Sequence, residues 1–391
     1  MAHATLTTGT PRRSGGRSGR IRVLHAVWNL NYGGMERLIA DIIRRSDPAI
    51  FESHLLVLHD LGHFAEGLEK FATLHVAEPL QPWSMLWPGA LIRQLRDIAP
   101  DVVHTHSGVW YKVSLAARLA GVPRLVHTDH GRACPDPWQA RMIDRIAAGR
   151  TDAVVAVSEA LAMQMARTVV RDASRLHVVT NGVDCGQYCP RPDDGVARAE
   201  LAIGPDVPVL GSVGRLEQIK GYDVMLEAYA RLRAEWRDGA APVLVLVGDG
   251  RERARLEELA RSSGVADGIR FLGWRDDIFS LHRSFDLFTM SSRSEGTSVS
   301  LLEAMSAGLC PVVTDVGGNA ATLGPSLAHR LVPSESPAAL AAAWRDALGD
   351  RERRAADAHL ARSRVIDAYS LDAMVRGYER LYAVDAGVKP R

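Results

Sequence analysis

Two glutamates in the second half of the chain, Glu295 and Glu303, have a spacing that suits the binding of a polyol. They lie in the segment DLFTMSSRSEGTSVSLLEAMSAGLCPVVTDVGGN, residues 286–319. An apolar run at its start predicts a strand, a Ser/Gly turn carries Glu295, and Glu303 lies in the helical pattern that follows. In doubly wound sheets, ligands bind at the carboxyl ends of such strands. The two carboxylates can therefore accept charge-assisted hydrogen bonds from different hydroxyls of one ligand.

Two solvated glutamates on an amphipathic helix are the alternative interpretation, since most Glu side chains are exposed. The segment as a whole favours a binding site, because it resembles the donor-site signature of the family-4 glycosyltransferases, which have the GT-B fold. The resemblance implies that Glu295 contacts the sugar of a nucleotide-sugar donor and that Glu303 binds the ribose. It also implies that the residues after Glu295 line the donor: Gly296, Thr297 and Ser298.

Two cations precede this segment in GSVGRLEQIKGY, residues 211–222. Arg215 and Lys220 lie on a loop between a predicted strand and a predicted helix. Cations and free backbone N–H groups at a helix N-terminus favour a diphosphate. Solvated surface charge is the alternative. The segment resembles the Gly-Arg-Leu…Lys-Gly element of the same family, which implies that Arg215 and Lys220 bind the donor diphosphate.

Glycines at two strand ends complete the predicted donor site. Gly33 and Gly34 follow the first predicted strand, where the absence of a Cβ lets a ligand approach the backbone. Their position resembles the family's first Gly-rich loop, near the donor phosphate and sugar, with Glu36 supporting the loop. Gly248 ends another apolar strand, either at the edge of the nucleotide site or in a simple tight turn. Gly33-Gly34 has the same alternative, because turns often contain Gly-Gly.

Histidines occur at the predicted carboxyl ends of two consecutive strands: His104, His106, His127 and His130. A histidine there can orient a hydroxyl or exchange a proton near neutral pH; a buried structural histidine is the alternative. Residues 128–131 resemble the family's Thr-x-His-Gly element, which implies that His130 lines the acceptor side of the reaction centre. His106 is a second candidate for the acceptor side. We predict catalytic roles for His130, Arg215, Lys220 and Glu295.

No metal or other cofactor is expected beyond the nucleotide-sugar co-substrate. The sequence contains no Asp-x-Asp, so it lacks the paired carboxylates that hold a divalent cation in GT-A-type transferases. Arg215 and Lys220 can neutralise the leaving diphosphate instead. The four cysteines, Cys134, Cys185, Cys189 and Cys310, do not form a zinc-ligand pattern, and reduced thiols are expected.

The composition predicts a two-domain globular protein. The chain has 391 residues, 47% of them apolar and 24% charged, enough for two separate cores. A net charge of +1 creates no strong field toward nucleic acid, so no nucleic-acid partner is expected. Residues 1–20 are rich in Gly, Ser, Thr and Arg, which predicts disorder. They lack the apolar stretch of a secretory signal, so a cytoplasmic location is expected.

Short apolar runs alternate with helical patterns along the chain, which predicts an α/β protein with parallel sheets. We expect two Rossmann-like, doubly wound domains facing a cleft: residues 21–187 as the acceptor domain and 208–369 as the nucleotide-sugar domain. Residues 188–207, with three prolines, are the predicted linker. The resemblance implies that the C-terminal helix, in 370–391, crosses back to the first domain. The predicted strands are 23–27, 55–58, 74–77, 102–105, 125–128, 154–157, 177–179, 209–213, 243–247, 269–272, 287–290, 311–313 and 330–332.

The sequence therefore indicates a glycosyltransferase that moves a sugar from a nucleoside-diphosphate sugar to a glycan or lipid-linked acceptor. The resemblance implies retention of anomeric configuration. A nucleotide-sugar 2-epimerase of the same fold and a catalytically silent nucleotide-sugar-binding protein are the alternatives. A Rossmann dehydrogenase is disfavoured, because no Gly-x-Gly-x-x-Gly follows either domain's first strand. Trp83 and Trp87 predict either peripheral contact with the inner face of the plasma membrane or ordinary core packing.

Overall fold

The structure is a computed structural model that describes residues 19–31, 33–79, 82–131, 137–192 and 195–384. The side chains of residues 82 and 83 are outside this description. The predicted disordered tail therefore lies almost entirely outside the described residues, as does Cys134. None of the described helices has the length and apolarity needed to cross a membrane.

The first half of the chain forms a seven-stranded parallel sheet with the order β3-β2-β1-β4-β5-β6-β7. Its strands are β1 (Ile21–Asn29), β2 (Phe51–Asp60), β3 (Ala72–Val76), β4 (Val102–His106), β5 (Arg124–Asp129), β6 (Ala153–Ala156) and β7 (Leu176–Val178). The α-helices of this half are α1 (Gly34–Arg45), α2 (Gly89–Ile98), α3 (Trp110–Ala120), α4 (Trp138–Ala148) and α5 (Glu159–Thr168).

The second half forms a six-stranded parallel sheet with the order β10-β9-β8-β11-β12-β13. Its strands are β8 (Val209–Val213), β9 (Val243–Val247), β10 (Ile269–Gly273), β11 (Leu287–Met290), β12 (Pro311–Thr314) and β13 (Leu331–Val332). The helices from the linker onward are α6 (Val196–Glu200), α7 (Tyr222–Glu235), α8 (Arg253–Ser262), α9 (Ile278–Leu281), α10 (Val299–Ser306), α11 (Asn319–Leu323), α12 (Pro337–Gly349), α13 (Arg351–Ala368) and α14 (Leu371–Ala383).

The apolar runs form strands because both faces of each sheet are covered by helices. All five residues of β9, VLVLV, are buried, as expected for a central parallel strand. The α/β prediction of two doubly wound parallel sheets is confirmed, and each of the thirteen predicted runs overlaps an observed strand. The predicted linker contains the short helix α6 and the buried ring of Tyr188.

The last helix, α14, returns to the first domain, as predicted. Its apolar face packs with β1 and α1 in one core, where Leu371, Met374, Tyr378 and Tyr382 are buried. Strand order reverses beside β1 in the first sheet and beside β8 in the second. Such reversal points are where open α/β sheets bind ligands. The loops at the carboxyl ends of both sheets meet between the domains, and they carry the predicted site residues.

Candidate functional site

Lys220 and Glu295, which are 75 residues apart in sequence, form an ion pair. Lys220 Nζ donates to Glu295 Oε1 at 2.6 Å, and Ser292 Oγ donates to the same oxygen at 2.6 Å. The Glu295 side chain is only 7% exposed, so this pair is shielded from water on most sides. The structure thus brings together the predicted sugar-binding carboxylate and a predicted diphosphate-binding cation.

The side chain of Ser291 holds together the two loops that carry this pair. Ser291 Oγ donates to the carbonyl oxygens of Lys220 and Gly221 at 3.1 and 2.8 Å. Gly221 has φ +63°, and a Cβ there would lie 2.2 Å from the Ser291 carbonyl oxygen. Only glycine fits this position without displacing the Ser291 backbone. The distance between Lys220 and Glu295 is therefore set by packing of the loops.

Arg215, which follows β8, is exposed. Its charge acts on Glu36 of α1: burial raises the pKa of Glu36, and the Arg215 charge opposes that rise. Gly248 packs directly beneath the Arg215 loop, because it has φ +134° and its Cβ would lie 2.1 Å from the Gly214 carbonyl oxygen. Gly248 therefore supports the loop that presents Arg215.

The first Gly-rich loop contacts the second domain at the start of α10. A Cβ at Gly34 would lie 3.3 Å from Val299 Cγ2, and a Cβ at Gly33 would lie 2.2 Å from Glu36 Oε2. Glu36 therefore folds back over Gly33. This arrangement places the two glycines beside the loop that begins at Glu295, as the sequence predicts for parts of one site.

The loop after Glu295 joins the two domains. Thr297 Oγ1 donates to the Val157 carbonyl oxygen, and Asn181 Nδ2 donates to the Thr297 carbonyl oxygen at 2.6 Å. A Cβ at Gly296 would lie 2.8 Å from the His130 carbonyl oxygen. Gly296 and Thr297 thus contact the first domain, while Ser298 occupies the position before α10 and its hydroxyl lies 3.2 Å from Ser300 Oγ.

Glu303 is buried inside the site, on the second turn of α10. Its carboxylate lies 3.4 Å from Arg37 Nη1 of the first domain. Burial raises the pKa of Glu303, while Arg37 and a hydrogen bond with Tyr188 oppose the rise. The Arg37 guanidinium also lies 5.3 Å from the centre of the Tyr188 ring, a cation–π distance. Arg37 and Tyr188 were not predicted as site residues. They lie next to predicted elements in sequence, but only the folded structure brings them to Glu303.

His106 and His130, the two residues predicted to lie on the acceptor side, are in contact at the ends of β4 and β5. His106 Nδ1 is 3.2 Å from His130 Nε2. The third ring in contact, His25 of β1, was missed: its Nδ1 is 3.4 Å from His106 Nε2. A titratable residue inside an otherwise apolar strand was the available signal. Burial lowers the pKa of His25 to about 3 and that of His130 to about 4.

The other two predicted histidines have structural partners. His104 Nδ1 lies 2.7 Å from the Tyr382 hydroxyl, and His104 Nε2 lies 2.7 Å from Thr128 Oγ1. His127 stacks on Trp110, with ring centres 3.7 Å apart. These contacts anchor α14 and α3 to the first sheet. His104 and His127 are therefore buried structural histidines, which is the alternative considered in the sequence analysis.

Three of the buried histidines are close enough to consider as metal ligands. His25, His104 and His106 each offer one ring nitrogen, and these nitrogens lie within 4.8 Å of one another. Both nitrogens of His104 are, however, already within hydrogen-bond distance of Tyr382 and Thr128. His104 is therefore already engaged by other partners, and metal independence stays a prediction.

A cavity of about 380 Å³ lies between the domains beside Thr297. It is lined mainly by small residues of the second domain together with Ser158, Glu159 and Thr180 of the first. Neither Arg215 nor Lys220 lines it. The cation that does, Arg364, already donates to the carbonyl oxygens of Thr322 and Ala321. The charged cluster around Glu295 and Glu303, rather than this cavity, is the candidate donor site.

Two family models match the chain, one after the other. The model described as Glycosyltransferase Family 4 matches residues 32–187, and the model described as Glycosyl transferases group 1 matches residues 193–363. The first match covers the first sheet apart from β1, and the second covers the whole second sheet. Together they include every predicted site residue.

Relatives of known name share moderate identity with the chain. Glycosyltransferase EpsF of Bacillus subtilis (strain 168) is 28% identical over 333 residues, which is 81% of this chain and 85% of EpsF. D-inositol 3-phosphate glycosyltransferase of Jonesia denitrificans is 32% identical over 276 residues, which is 65% of each chain. Both names describe enzymes that transfer sugars.

Solved structures have the same arrangement of two sheets. HepE of Anabaena, in complex with UDP and glucose, matches with a TM-score of 0.80 at 20% identity, covering 93% of this chain and 100% of HepE. WaaG, a glycosyltransferase involved in lipopolysaccharide biosynthesis, matches with a TM-score of 0.71 at 19% identity, covering 94% of this chain and 100% of WaaG. At these identities the likeness shows the fold, which is GT-B.

Proposed function

This chain belongs to the family-4 glycosyltransferases, and on that premise we propose that it transfers a sugar from a nucleoside-diphosphate sugar to a glycan or lipid-linked acceptor. The observation that carries the proposal is the 2.6 Å pair between Lys220 and Glu295, with Arg215 on the same loop as Lys220. This grouping offers cations to a diphosphate and a carboxylate to a sugar hydroxyl at the same place.

Each part of a nucleoside-diphosphate sugar has a matching charged residue in the site. Glu303 accepts a hydrogen bond from the ribose, Lys220 and Arg215 face the diphosphate, and Glu295 holds the sugar. That HepE is found with UDP and glucose supports a nucleotide-sugar donor here. Once the diphosphate arrives, Lys220 exchanges part of its interaction with Glu295 for the phosphate oxygens, which frees the carboxylate for sugar hydroxyls.

The reaction breaks the bond between the anomeric carbon and the phosphate oxygen and forms one to the acceptor oxygen. Negative charge develops on the departing phosphate, where Arg215 and Lys220 stabilise it. One well-placed group of this kind contributes about 3–4 kcal/mol to catalysis. Attack occurs on the face from which the diphosphate leaves, with retention of configuration, and the acceptor proton passes to the departing phosphate oxygen. No metal ion takes part.

The acceptor binds on the side of His106 and His130. The names of the relatives suggest two acceptor classes to compare: WaaG acts in lipopolysaccharide biosynthesis, and the Jonesia relative is named for D-inositol 3-phosphate. We favour the glycan or lipid-linked class, because apolar side chains are exposed on the first domain. Leu86 is 81% exposed and Trp87 is 58% exposed, so core packing does not account for Trp87.

A second exposed apolar group lies on α4, where Trp138, Met142 and Ile146 are all exposed. Their spacing of four residues places them on one face of the helix. Exposed aromatic and aliphatic side chains of this kind can enter the interfacial region of a bilayer. We therefore propose that the first domain makes peripheral contact with a membrane that carries the acceptor.

A transfer assay tests the proposed function. Purified protein is incubated with each common nucleotide sugar and with glycan, lipid-linked and inositol-phosphate acceptors, with and without EDTA. We expect a glycosylated product, formed equally in EDTA, whose anomeric configuration by NMR matches that of the donor. An epimerised nucleotide sugar without any glycosylated product would support the epimerase alternative. Donor binding without turnover would support a silent binding protein.

A further inference from the structure

Two buried histidines, His25 and His106, and the partly buried His130 form a continuous chain of ring contacts. His25 Nδ1 lies 3.4 Å from His106 Nε2, and His106 Nδ1 lies 3.2 Å from His130 Nε2. The chain runs from β1 through β4 to the residue after β5. Both nitrogens of the central ring, His106, therefore face another imidazole.

Neutral imidazoles can satisfy this geometry in only two ways. In each nitrogen pair one nitrogen must carry the hydrogen and the other must accept it. Burial lowers the pKa of all three rings, to about 3 for His25 and about 4 for His130, so each ring holds one hydrogen at neutral pH. The hydrogens are then all donated toward His25 or all donated toward His130.

The environment of His130 selects between these two arrangements. Its Nδ1 is buried and has no hydrogen-bond partner among the described residues. Among buried backbone groups an unpaired N–H is rarer than an unpaired acceptor, and we apply the same preference to the imidazole nitrogens. The favoured arrangement leaves a lone pair on His130 Nδ1, so His130 Nε2–H donates to His106 and His106 Nε2–H donates to His25.

We propose that His106 and His25 are positioning residues that hold His130 as the Nε2–H tautomer, with the Nδ1 lone pair reserved for a hydroxyl of the bound substrate. This proposal rests on the proposed function for the identity of that substrate. The His130 backbone lies against Gly296 of the donor loop, where a Cβ would be 2.8 Å from the His130 carbonyl oxygen. His130 then accepts a hydrogen bond from a sugar hydroxyl and cannot donate one.

His104 is not one of the linked histidines, although its ring centre lies 4.1 Å from that of His106. Its two nitrogens face Tyr382 and Thr128. The three linked histidines, His25, His106 and His130, transfer no proton during the reaction. Their contacts determine which nitrogen of His130 carries the hydrogen, and they orient the ring.

The tautomers can be measured without any substrate. In protein labelled with ¹⁵N-histidine, two-bond ¹H–¹⁵N correlations distinguish a protonated ring nitrogen from a bare one, and single histidine variants assign the signals. We expect His130 to show a bare Nδ1 and a protonated Nε2. The His106→Leu substitution removes the acceptor for Nε2–H, so we expect His130 to change its correlation pattern. A protonated Nδ1 in the native protein, or a pattern unchanged in His106→Leu, would overturn the proposal.

Kinetics provide the second readout. We expect His106→Leu to lower kcat by tenfold or more with the donor KM changed less than twofold. His106→Gln should recover much of this loss, because its amide can accept from His130 and donate to His25. The matched control is His54→Leu, which breaks another histidine pair, the partly buried contact of His54 Nδ1 with His75 Nε2 at 3.0 Å. Equal losses in the Leu and Gln variants, or in the control, contradict a tautomer role.

The two proposals fail in different ways. If the NMR pattern is as expected but no sugar is transferred to any acceptor, the histidine chain stands and the proposed function falls. If the protein transfers sugar while His130 carries its hydrogen on Nδ1, the chain proposal falls and the proposed function stands. Should His106→Leu not fold, the native spectrum alone still decides the tautomer.

Discussion

Arg37 of α1 and Glu303 of α10 face each other across the two domains, with 3.4 Å between Nη1 and Oε1. Glu303 is almost fully buried, and Arg37 is the cation that most offsets the cost of its charge. A buried ion is strongly destabilising when its partner is removed, because its charge is left uncompensated. Arg37 therefore opposes protonation of the predicted ribose-binding carboxylate, and under our proposal it would link nucleotide binding to the contact between the domains.

The Arg37→Gln substitution tests this relationship. We expect a loss of about 1–3 kcal/mol in the free energy of unfolding, since Arg37 is partly exposed and solvent screens some of its charge. Donor affinity should fall as well, because Glu303 becomes easier to protonate. Urea denaturation and calorimetric titration with the nucleotide measure the two effects. In the double variant with Glu303→Gln the effects should be less than additive; simple additivity would show that the pair is not coupled.

Lys220 is expected to act on the diphosphate more than on the nucleoside. Lys220→Ala should lower kcat by about 10²–10³-fold, the range for removing one group that stabilises developing charge. The affinity for a nucleoside diphosphate should fall, while the affinity for the nucleoside should change little. Lys70→Ala, at an exposed lysine on the first domain, is the control. Equal losses for nucleoside and diphosphate would contradict the assignment.

Stability should decrease in mild acid because of buried neutral histidines. Burial lowers the pKa of His25 to about 3, of His130 to about 4 and of His282 to about 3, against about 6.5 in the unfolded chain. Below pH 6.5 the unfolded state binds protons that the folded state does not, so the free energy of unfolding falls as pH falls toward 4. Each such group accounts for about 2 kcal/mol at pH 5.

His282 is the residue that isolates this effect. Both of its ring nitrogens are buried without a hydrogen-bond partner in the described part of the chain, beside Phe285 and Phe288. We expect His282→Phe to reduce the loss of stability between pH 7 and pH 5, as measured by urea midpoints. His359→Phe, at an exposed histidine, should leave the pH dependence unchanged. An identical pH dependence in native protein and His282→Phe would show that His282 titrates normally.

Membrane contact depends on the exposed apolar groups of the first domain. The protein should float with liposomes, and a variant carrying Trp138→Ser, Met142→Ser and Ile146→Ser, or one carrying Leu86→Ser and Trp87→Ser, should float less. The matched control is Leu360→Ser, which alters an exposed apolar residue of α13 in the second domain. If the native protein fails to float, the acceptor is presented in solution, and the inositol-phosphate class becomes the better candidate.

The sequence predicted the strands and the site loops because these depend on local pattern. Short apolar runs such as 243–247, bounded by turn residues, are typical of covered strands, and charged residues that follow such strands lie at the carboxyl edge. Contacts between segments that are far apart in sequence could not be predicted. Arg37 and Tyr188 meet Glu303 through the interdomain contact, and His25 meets His106 through the pairing of β1 with β4, which no local pattern specifies.

The role of a glycine that packs against a distant segment could not be predicted either. Gly248 was expected either at the nucleotide or in a simple turn, and the structure shows a third role: its lack of a Cβ lets the Gly214 backbone pack on it. The exposure of Trp87 could not be predicted from the sequence either, since an aromatic residue in an apolar stretch is compatible with a core or a surface.

Calorimetric titration of the purified protein with UDP, GDP, ADP and their common sugar conjugates tests the central claim most directly. We expect one nucleoside diphosphate and its conjugate to bind, with affinity reduced at least tenfold by Glu303→Ala and by Lys220→Ala. Native affinity in both variants, or no binding of any nucleotide to the native protein, would contradict a donor site built from Arg215, Lys220, Glu295 and Glu303.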